Sequence, residues 1–241
     1  MKVLVVRAAE DARRTAARLE AAGHEAIVAP VLDIGALDFA PPGGAFDAVI
    51  ATSAHAFGRP ERLAGLRGLP LHVVGARTAE AAQTAGFSRI VMIAGNAEEL
   101  IRGVRGRLTR GARALYLAGR DRKSDIESNL ADACALTVLE TYEARPAAAL
   151  PPAAVDALAS GDLDVVLHYS HRSATIFLDL ARRAGSGERI GALRHVAISA
   201  DAATPLVEAR LPVAVAAQPN EDSMIEELAR IHGVAIRAGN T

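Results

Sequence analysis

Short apolar runs alternate along the chain with segments whose apolar residues recur at helical spacing. The run Val3–Val6 is followed by a segment in which Ala12, Ala16 and Leu19 fall on one helix face, and Gly23 ends that helix. Short apolar strands that alternate with helices form parallel sheets covered by helices on both faces. The pattern therefore predicts an α/β protein with strands at 3–6, 25–30, 46–52, 71–75, 89–95, 114–118, 136–146, 163–169, 195–200 and 211–217.

The two halves of the chain also repeat each other. This indicates two similar structural units, although any two α/β segments share some likeness. An arginine comes shortly after each of the strands 3–6 and 114–118, and we place Arg7 and Arg120 at matching positions. The paired segments are 46–56 with 163–173, 73–82 with 197–206, 91–101 with 213–228, and 3–11 with 114–122.

Two stretches that combine a β-prone run with prolines predict where the chain crosses between two lobes. A chain that leaves one lobe at the first stretch and returns at the second places Val3–Val6 in one parallel sheet with Val165–His168. The predicted boundaries are residues 1–32 plus 148–241 for an outer lobe, 40–138 for an inner lobe, and 33–39 and 139–147 for two paired linker strands.

Composition narrows the classes of partner. Of 241 residues, 51% are hydrophobic and 3% aromatic, and the formal net charge is -1. This disfavours nucleic acid as a partner, since binding it needs cationic surface and rings that stack on bases. No apolar run approaches the ~20 residues that span a bilayer, so we expect no membrane partner. The single cysteine, Cys134, cannot form an intrachain disulfide, which favours a cytoplasmic protein.

The residues after the predicted strands form the candidate binding site, because ligands of such sheets bind at the carboxyl ends of the strands. They are rich in hydroxyls, small residues and arginine, without clustered carboxylates. Helix N-termini add backbone N–H groups and partial positive charge, so the set suits an anion. Any one of the serines could instead be a plain helix N-cap. The set is Arg7, Thr52, Ser53, Gly75–Thr78, Gly119–Arg122, Tyr169–His171, Ser199 and Asn220–Glu221.

The loop after 114–118 carries cations before a predicted helix. Ser124 and Glu127 have the spacing of a capping box at its start. The loop has one glycine, Gly119, so it meets neither the GxGxxG nor the GxxxxGK[ST] nucleotide fingerprint. The composition of the loop leaves open which anion it would bind. The cations are Arg120, Arg122 and Lys123.

Other chemistries lack the residues that they need. His168 and His171 have no nearby carboxylate or cysteine to complete a metal site. Ser53 is not in a G-x-S-x-G elbow, which disfavours a hydrolase. Tyr142, in a predicted linker strand, could present a hydroxyl to a ligand or simply pack across strands.

Several segments, in order, resemble the uroporphyrinogen-III synthase family along the whole chain. They are "FDAVIATSA", "VGARTAEAAQTAGF", "GRDR" before a helix, "ETYEARP" and "PNEDSMIEEL". The resemblance implies two doubly wound, flavodoxin-like parallel-sheet lobes joined by a two-stranded linker, with the N-terminal βαβ unit in the C-terminal lobe. The resemblance rests on the order and spacing of these segments, since no single motif is specific.

The resemblance further implies a cyclising lyase of tetrapyrrole biosynthesis. The family closes hydroxymethylbilane, a linear polyanionic tetrapyrrole, to uroporphyrinogen III and inverts ring D through a spiro intermediate. It implies no metal or other cofactor, a monomer, and hydroxymethylbilane synthase as the upstream partner. Tyr142 is then the candidate proton donor. The substrate-binding candidates are Arg7, Thr52, Ser53, Ala76, Thr78, Gly119, Arg120, Ser170 and Ser199.

This sequence departs from the family at the second-half motif. Ser199 stands where the family has glycine, and Ala202 stands where threonine is usual, so no role of that threonine carries over. Two other classes remain open. One is a two-lobed anion-binding protein without turnover. The other is a nucleotide-sugar transferase, which should show a phosphate loop or metal carboxylates.

Overall fold

The computed structural model describes residues 1–122 and 124–239, with side chains described as far as Ile231. None of the helices in this described part combines the length and the apolar character that a membrane span requires. The strands are β1 Lys2–Val6, β2 Glu25–Val28, β3 Leu32–Ala36, β4 Ala48–Ala51, β5 Leu71–Val74, β6 Ile90–Ala94, β7 Arg113–Gly119, β8 Ala135–Pro146, β9 Val165–His168, β10 Arg194–Ala197 and β11 Val213–Val215.

Helices follow most of the strands, as the hydrophobic pattern predicts. Two short 3₁₀ helices, Ala54–Phe57 and Pro60–Leu66, follow β4 and Ser53. The α-helices are α1 Ala9–Ala21, α2 Ala76–Thr84, α3 Ala97–Arg107, α4 Asp125–Leu130, α5 Pro152–Ser160, α6 His171–Arg183, α7 Gly187–Ala192, α8 Ala200–Glu208 and α9 Glu221–Gly239. The mixed α/β class with parallel sheets is confirmed.

The chain divides into two compact units. The first, here the outer unit, contains Met1–Asp33 and the described residues from Arg145 onward, and the second, the inner unit, contains Ile34–Ala144. The strands β3 and β8 are neighbours, and the chain passes between the units within them. Leu37 N–H donates to Thr141 at 2.9 Å, whereas Ala147 N–H donates to Val31 at 3.0 Å, so the two segments run antiparallel.

The outer unit contains a five-stranded sheet in the order β11-β10-β9-β1-β2, in which each neighbouring pair is parallel. Val3 pairs with Val165, and Val6 pairs with His168. All four residues from Val3 to Val6 are fully buried, because apolar clusters cover both faces of the sheet. A parallel strand with two covered faces has to be apolar throughout, which explains the unbroken run in the sequence.

The inner unit contains a six-stranded sheet in the order β3-β8-β7-β4-β5-β6. The strands β4 to β8 are paired in parallel, and apolar clusters again cover both faces. The pairing of β7 with β8 shifts register between Ala118 and Gly119. Ala118 faces Glu140, but Gly119 faces Tyr142, so Thr141 is skipped. This bulge determines which residue of β8 lies beside the end of β7.

The strand orders of the two units correspond, with β11-β10-β9-β1-β2 matching β6-β5-β4-β7-β8. One detail of the predicted repeat is wrong. Val165 pairs with Val3, and its counterpart Ala48 pairs with Ala114, so the sheets match Arg7 with Ala118. Arg120 lies two residues further along, because β7 continues beyond the point equivalent to the end of β1.

Candidate functional site

Each sheet has a topological switch point, which is where ligands of doubly wound sheets bind. In the outer sheet the chain passes from β1 to one edge and from β9 to the other, so the switch lies between β1 and β9. In the inner sheet the switch lies between β4 and β7. Arg7 and Ser170 follow the outer pair. At the inner pair, β4 is followed by Thr52 and Ser53, and β7 ends at Gly119 and is followed by Arg120.

Tyr142 lies at the inner switch point because of the bulge at Thr141 in β8. Its ring covers Gly119 so closely that a Cβ atom on that residue would lie 2.8 Å from the Cε2 and Cζ atoms of the ring. Burial raises the pKa of the Tyr142 phenol, and a side-chain hydrogen bond with Ser53 and the charge of Arg122 oppose that rise. The phenol is therefore protonated at neutral pH. Of the predicted site residues, the structure brings Ser53, Gly119 and Tyr142 together.

Two residues at this point were missed by the sequence reasoning. The ring of His55 lies 5.8 Å from the ring of Tyr142, measured between centroids. The hydroxyl of Tyr116, on β7, lies 3.0 Å from that of Thr52. Tyr116 is buried, and burial raises the pKa of its phenol. The hydroxyl of Thr52 thus has a partner inside the unit.

The cationic loop is surrounded by carboxylates that lie outside the set of residues predicted at the strand ends. Arg120 donates to Glu140 at 3.1 Å and to Glu143 at 2.7 Å. Hydrogen bonds from Arg120, more than those from Arg122, lower the pKa of Glu140. These glutamates belong to β8, which the parallel pairing brings beside the end of β7. Lys123, the third predicted cation, lies outside the described residues.

The predicted capping box is also wrong. Ser124 precedes α4 with φ -82° and ψ 20°, and within the described part of the chain its side chain makes no cap hydrogen bond. Glu127 instead accepts a hydrogen bond from Arg122 Nε at 2.7 Å. The guanidinium attracts the Glu127 carboxylate more strongly than a single backbone N–H does.

Ala76 and Thr78 lie in the first turn of α2. Gly75 precedes the helix with φ 80°, in the region that favours glycine. Ala76 is exposed, whereas Thr78 is 4% exposed. The helix α2 packs against the 3₁₀ helix that follows Ser53. Backbone N–H groups and Ala76 are therefore more accessible here than the Thr78 hydroxyl.

The predicted serines of the outer unit are helix N-caps. Ser170 accepts a hydrogen bond from Ser173 N–H at 3.1 Å at the start of α6. Ser199 accepts one from Ala202 N–H at 3.3 Å at the start of α8. Both residues are partly accessible, so each can support its helix and still contact a ligand.

Arg7 is held within the outer unit. Its guanidinium lies 4.0 Å from the centroid of the Tyr169 ring and forms ion pairs with Asp11 at 3.5 Å and Glu221 at 3.6 Å. Glu221 also accepts from Tyr169 Oη at 3.2 Å. Burial raises the pKa of Tyr169 to about 12. Burial opposes ionisation of Glu221, but hydrogen bonds from Thr15 and Arg18 leave its pKa below the ordinary value.

The buried histidines pair with each other. His168 Nε2 lies 3.0 Å from His195 Nδ1, and His195 Nε2 lies 3.0 Å from the carbonyl oxygen of Ile190. Burial lowers the pKa of both, and that of His168 lies well below its usual range. Among the described residues, no group of three or more His, Cys, Asp or Glu side chains is arranged to hold a metal ion. Cys134 is buried.

These features define a protein of two doubly wound α/β units that each present polar side chains at a switch point. The sequence model of the family described as Uroporphyrinogen-III synthase HemD matches residues 13–226. The chain belongs to the uroporphyrinogen-III synthase family. The family and the enzyme class predicted from the sequence, a cyclising lyase, are thereby confirmed.

Solved structures show the same fold. Uroporphyrinogen-III synthetase from Helicobacter pylori 26695 is 16% identical, with a TM-score of 0.65, over 95% of this chain and 99% of that one. A mutant uroporphyrinogen III synthase from the extremely thermophilic bacterium Thermus thermophilus is 18% identical, with a TM-score of 0.53, over 95% and 98%. No curated protein sequence matches the chain at a significant level.

Proposed function

We propose that this protein closes hydroxymethylbilane to uroporphyrinogen III with inversion of ring D, and that Tyr142 donates the proton that lets the hydroxyl leave. Membership of the family supports the cyclisation. The observation that carries the proposed role is the phenol of Tyr142, which is protonated, hydrogen-bonded to Ser53 and placed at the inner switch point. A phenol in that state is a proton donor rather than a base at neutral pH.

The proposed reaction loses one water molecule. The Tyr142 phenol protonates the hydroxymethyl oxygen, the C–O bond breaks, and an azafulvene remains. The substituted α-carbon of ring D attacks it and forms the spiro intermediate, which fragments and closes again with ring D reversed. The ring carbon then releases a proton as the pyrrole becomes aromatic, and that proton restores the phenol. The enzyme favours this route by holding one substrate conformation.

The substrate carboxylates need partners that can exchange, and Arg120 meets that requirement better than Arg7. The Arg120 side chain is 52% exposed, so solvent weakens its ion pairs with Glu140 and Glu143. The Arg7 side chain is 24% exposed and is held by Tyr169 as well as by carboxylates. We therefore assign Arg120, the start of α2 at Ala76 and the hydroxyl of Ser53 to the substrate.

The test uses hydroxymethylbilane freshly produced by hydroxymethylbilane synthase, the proposed upstream partner. After incubation with the purified chain, the products are oxidised and the porphyrin isomers are separated. The proposal requires isomer III, and it requires the same yield after dialysis against a chelator. Isomer I alone, together with saturable binding of hydroxymethylbilane, would instead support a two-lobed anion-binding protein. We further propose that the protein acts as a monomer, and sedimentation of the purified chain tests this. We also propose that it acts in the cytoplasm.

A further inference from the structure

The guanidinium of Arg122 joins three segments at the end of β7. It donates to the carbonyl oxygen of Gly119 at 2.9 Å, to Glu127 on α4 at 2.7 Å and to Glu140 on β8 at 3.2 Å. Its side chain is 24% exposed, compared with 52% for Arg120. The planar fork of arginine suits such a site, because its donors point in fixed directions towards several acceptors.

Of these contacts, the hydrogen bond to the Gly119 carbonyl oxygen matters most for the position of Tyr142. Gly119 pairs with Tyr142 directly after the bulge at Thr141 in β8, and the ring of Tyr142 lies directly on Gly119. The position of this turn therefore sets the height and the tilt of the phenol. A contact that fixes Gly119 fixes the hydroxyl of Tyr142 relative to Ser53 as well.

We propose that Arg122 is a positioning residue, which holds the Gly119 turn beneath the Tyr142 ring. The inference rests on the proposed role of Tyr142 in the cyclisation. Arg122 acts through Tyr142 and needs no contact with the substrate.

The electrostatics of the phenol agree with this geometry. Ser53 and the ring of His55 approach it from the 3₁₀-helix side, and the backbone of Gly119 approaches it from β7. Arg122 supplies a positive charge that opposes the effect of burial on the pKa of Tyr142. Loss of that charge should raise the pKa of Tyr142 further and make the phenol a weaker acid.

The experiment compares Arg122→Gln and Arg122→Lys in the full chain. The protein has three tyrosines and no tryptophan, so phenolate absorbance reports tyrosines alone. Subtracting the titration of a Tyr142→Phe protein isolates Tyr142. The glutamine variant should raise the pKa of Tyr142 and lower kcat roughly 10- to 100-fold with KM nearly unchanged, since a displacement of about 1 Å can cost 10²-fold in rate.

The lysine variant separates charge from geometry. Its ammonium should keep the pKa of Tyr142 near the parent value, but it cannot contact the turn and both carboxylates at once, so kcat should still fall. Arg105→Gln is the matched control. Arg105 also belongs to the inner unit and donates to both oxygens of Asp132, at 2.6 and 2.7 Å. This variant should leave the pKa of Tyr142 and kcat unchanged.

The proposal would be overturned by a folded Arg122→Gln protein in which the pKa of Tyr142 and kcat both equal the parent values. It would also be overturned if KM rose while kcat stayed unchanged. If the glutamine variant does not fold, as judged by circular dichroism, parent kcat in the lysine variant would overturn it. The titration needs no substrate. Failure of the parent chain to form isomer III would therefore remove the proposed function, while the titration would still decide whether Arg122 acts on Tyr142.

Discussion

Substitution of Gly119 by alanine tests whether the placement of Tyr142 matters. The new Cβ atom would lie 2.8 Å from two ring carbons and 3.0 Å from the hydroxyl oxygen of Tyr142. Ordinary contact begins near 3.4 Å, so the ring has to move by about 0.6 Å. The added methyl group should also cost about 1–3 kcal/mol in the free energy of unfolding, because it overpacks the turn.

The expected loss of rate follows from this displacement. Misplacement of a reacting group by about 1 Å can cost 10²-fold, so a shift of about 0.6 Å should lower kcat on the order of tenfold. The hydrogen bond between Tyr142 and Ser53 should weaken in the same variant. The assay measures kcat and KM with fresh hydroxymethylbilane and records the ratio of isomer III to isomer I.

Gly106→Ala is the matched control. Gly106 lies in α3 with nothing within 4 Å of the position of its Cβ atom. Alanine there should leave kcat unchanged and stabilise the helix by about 0.5–1 kcal/mol. In a Tyr142→Ala background, Gly119→Ala should have no further effect on kcat, because the ring is gone. Parent kcat in the single Gly119→Ala variant, or an equal loss in the Tyr142→Ala background, would refute the reasoning.

Three further predictions follow from the same structure. Tyr142→Phe should lower kcat by roughly 10²–10⁴-fold if its hydroxyl is the general acid, with isomer III still the product; an unchanged rate would remove Tyr142 from the mechanism. Ser170→Ala should lower the free energy of unfolding by about 1 kcal/mol, because the N-cap of α6 is lost; a midpoint in urea equal to the parent's would contradict this. Because burial lowers the pKa of His168 and His195, the unfolded chain takes up protons first as pH falls below about 6.5. Stability should be full above that pH and fall below it, and a urea midpoint independent of pH between about 7.5 and 5.5 would contradict the prediction.

The arrangement of the strands was predictable because burial on both faces requires an unbroken apolar run. Val3–Val6 and Val165–His168 are such runs, and they pair in the outer sheet. The helix starts were predictable where a cap acts locally. Ser170 and Ser199 cap the helices that immediately follow them, through hydrogen bonds from the N–H three residues further on.

The surroundings of the inner switch point were not predictable, since they depend on contacts between distant residues. Glu140 and Glu143 reach the cationic loop only because β8 pairs with β7. Tyr142 covers Gly119 because a bulge shifts the register by one residue, and no local pattern marks that bulge. Glu127 has the spacing of a capping box, but Arg122 takes its carboxylate.

The mistaken match of Arg7 with Arg120 has the same origin. Each arginine comes after a strand end, and the sequence contains no sign that β7 continues two residues further than β1. The consequence is chemical as well as geometric. Arg7 stacks on Tyr169, whereas Arg120 stays largely exposed at the end of the inner sheet.

The most direct test of the account is the fraction of isomer III as a function of enzyme concentration at a fixed amount of hydroxymethylbilane. Spontaneous closure without inversion gives isomer I and competes with the enzyme in every sample. The account predicts that isomer III rises with enzyme until it is nearly the only product, and that heat-denatured protein gives isomer I. A product that remains isomer I at every enzyme concentration would contradict the account.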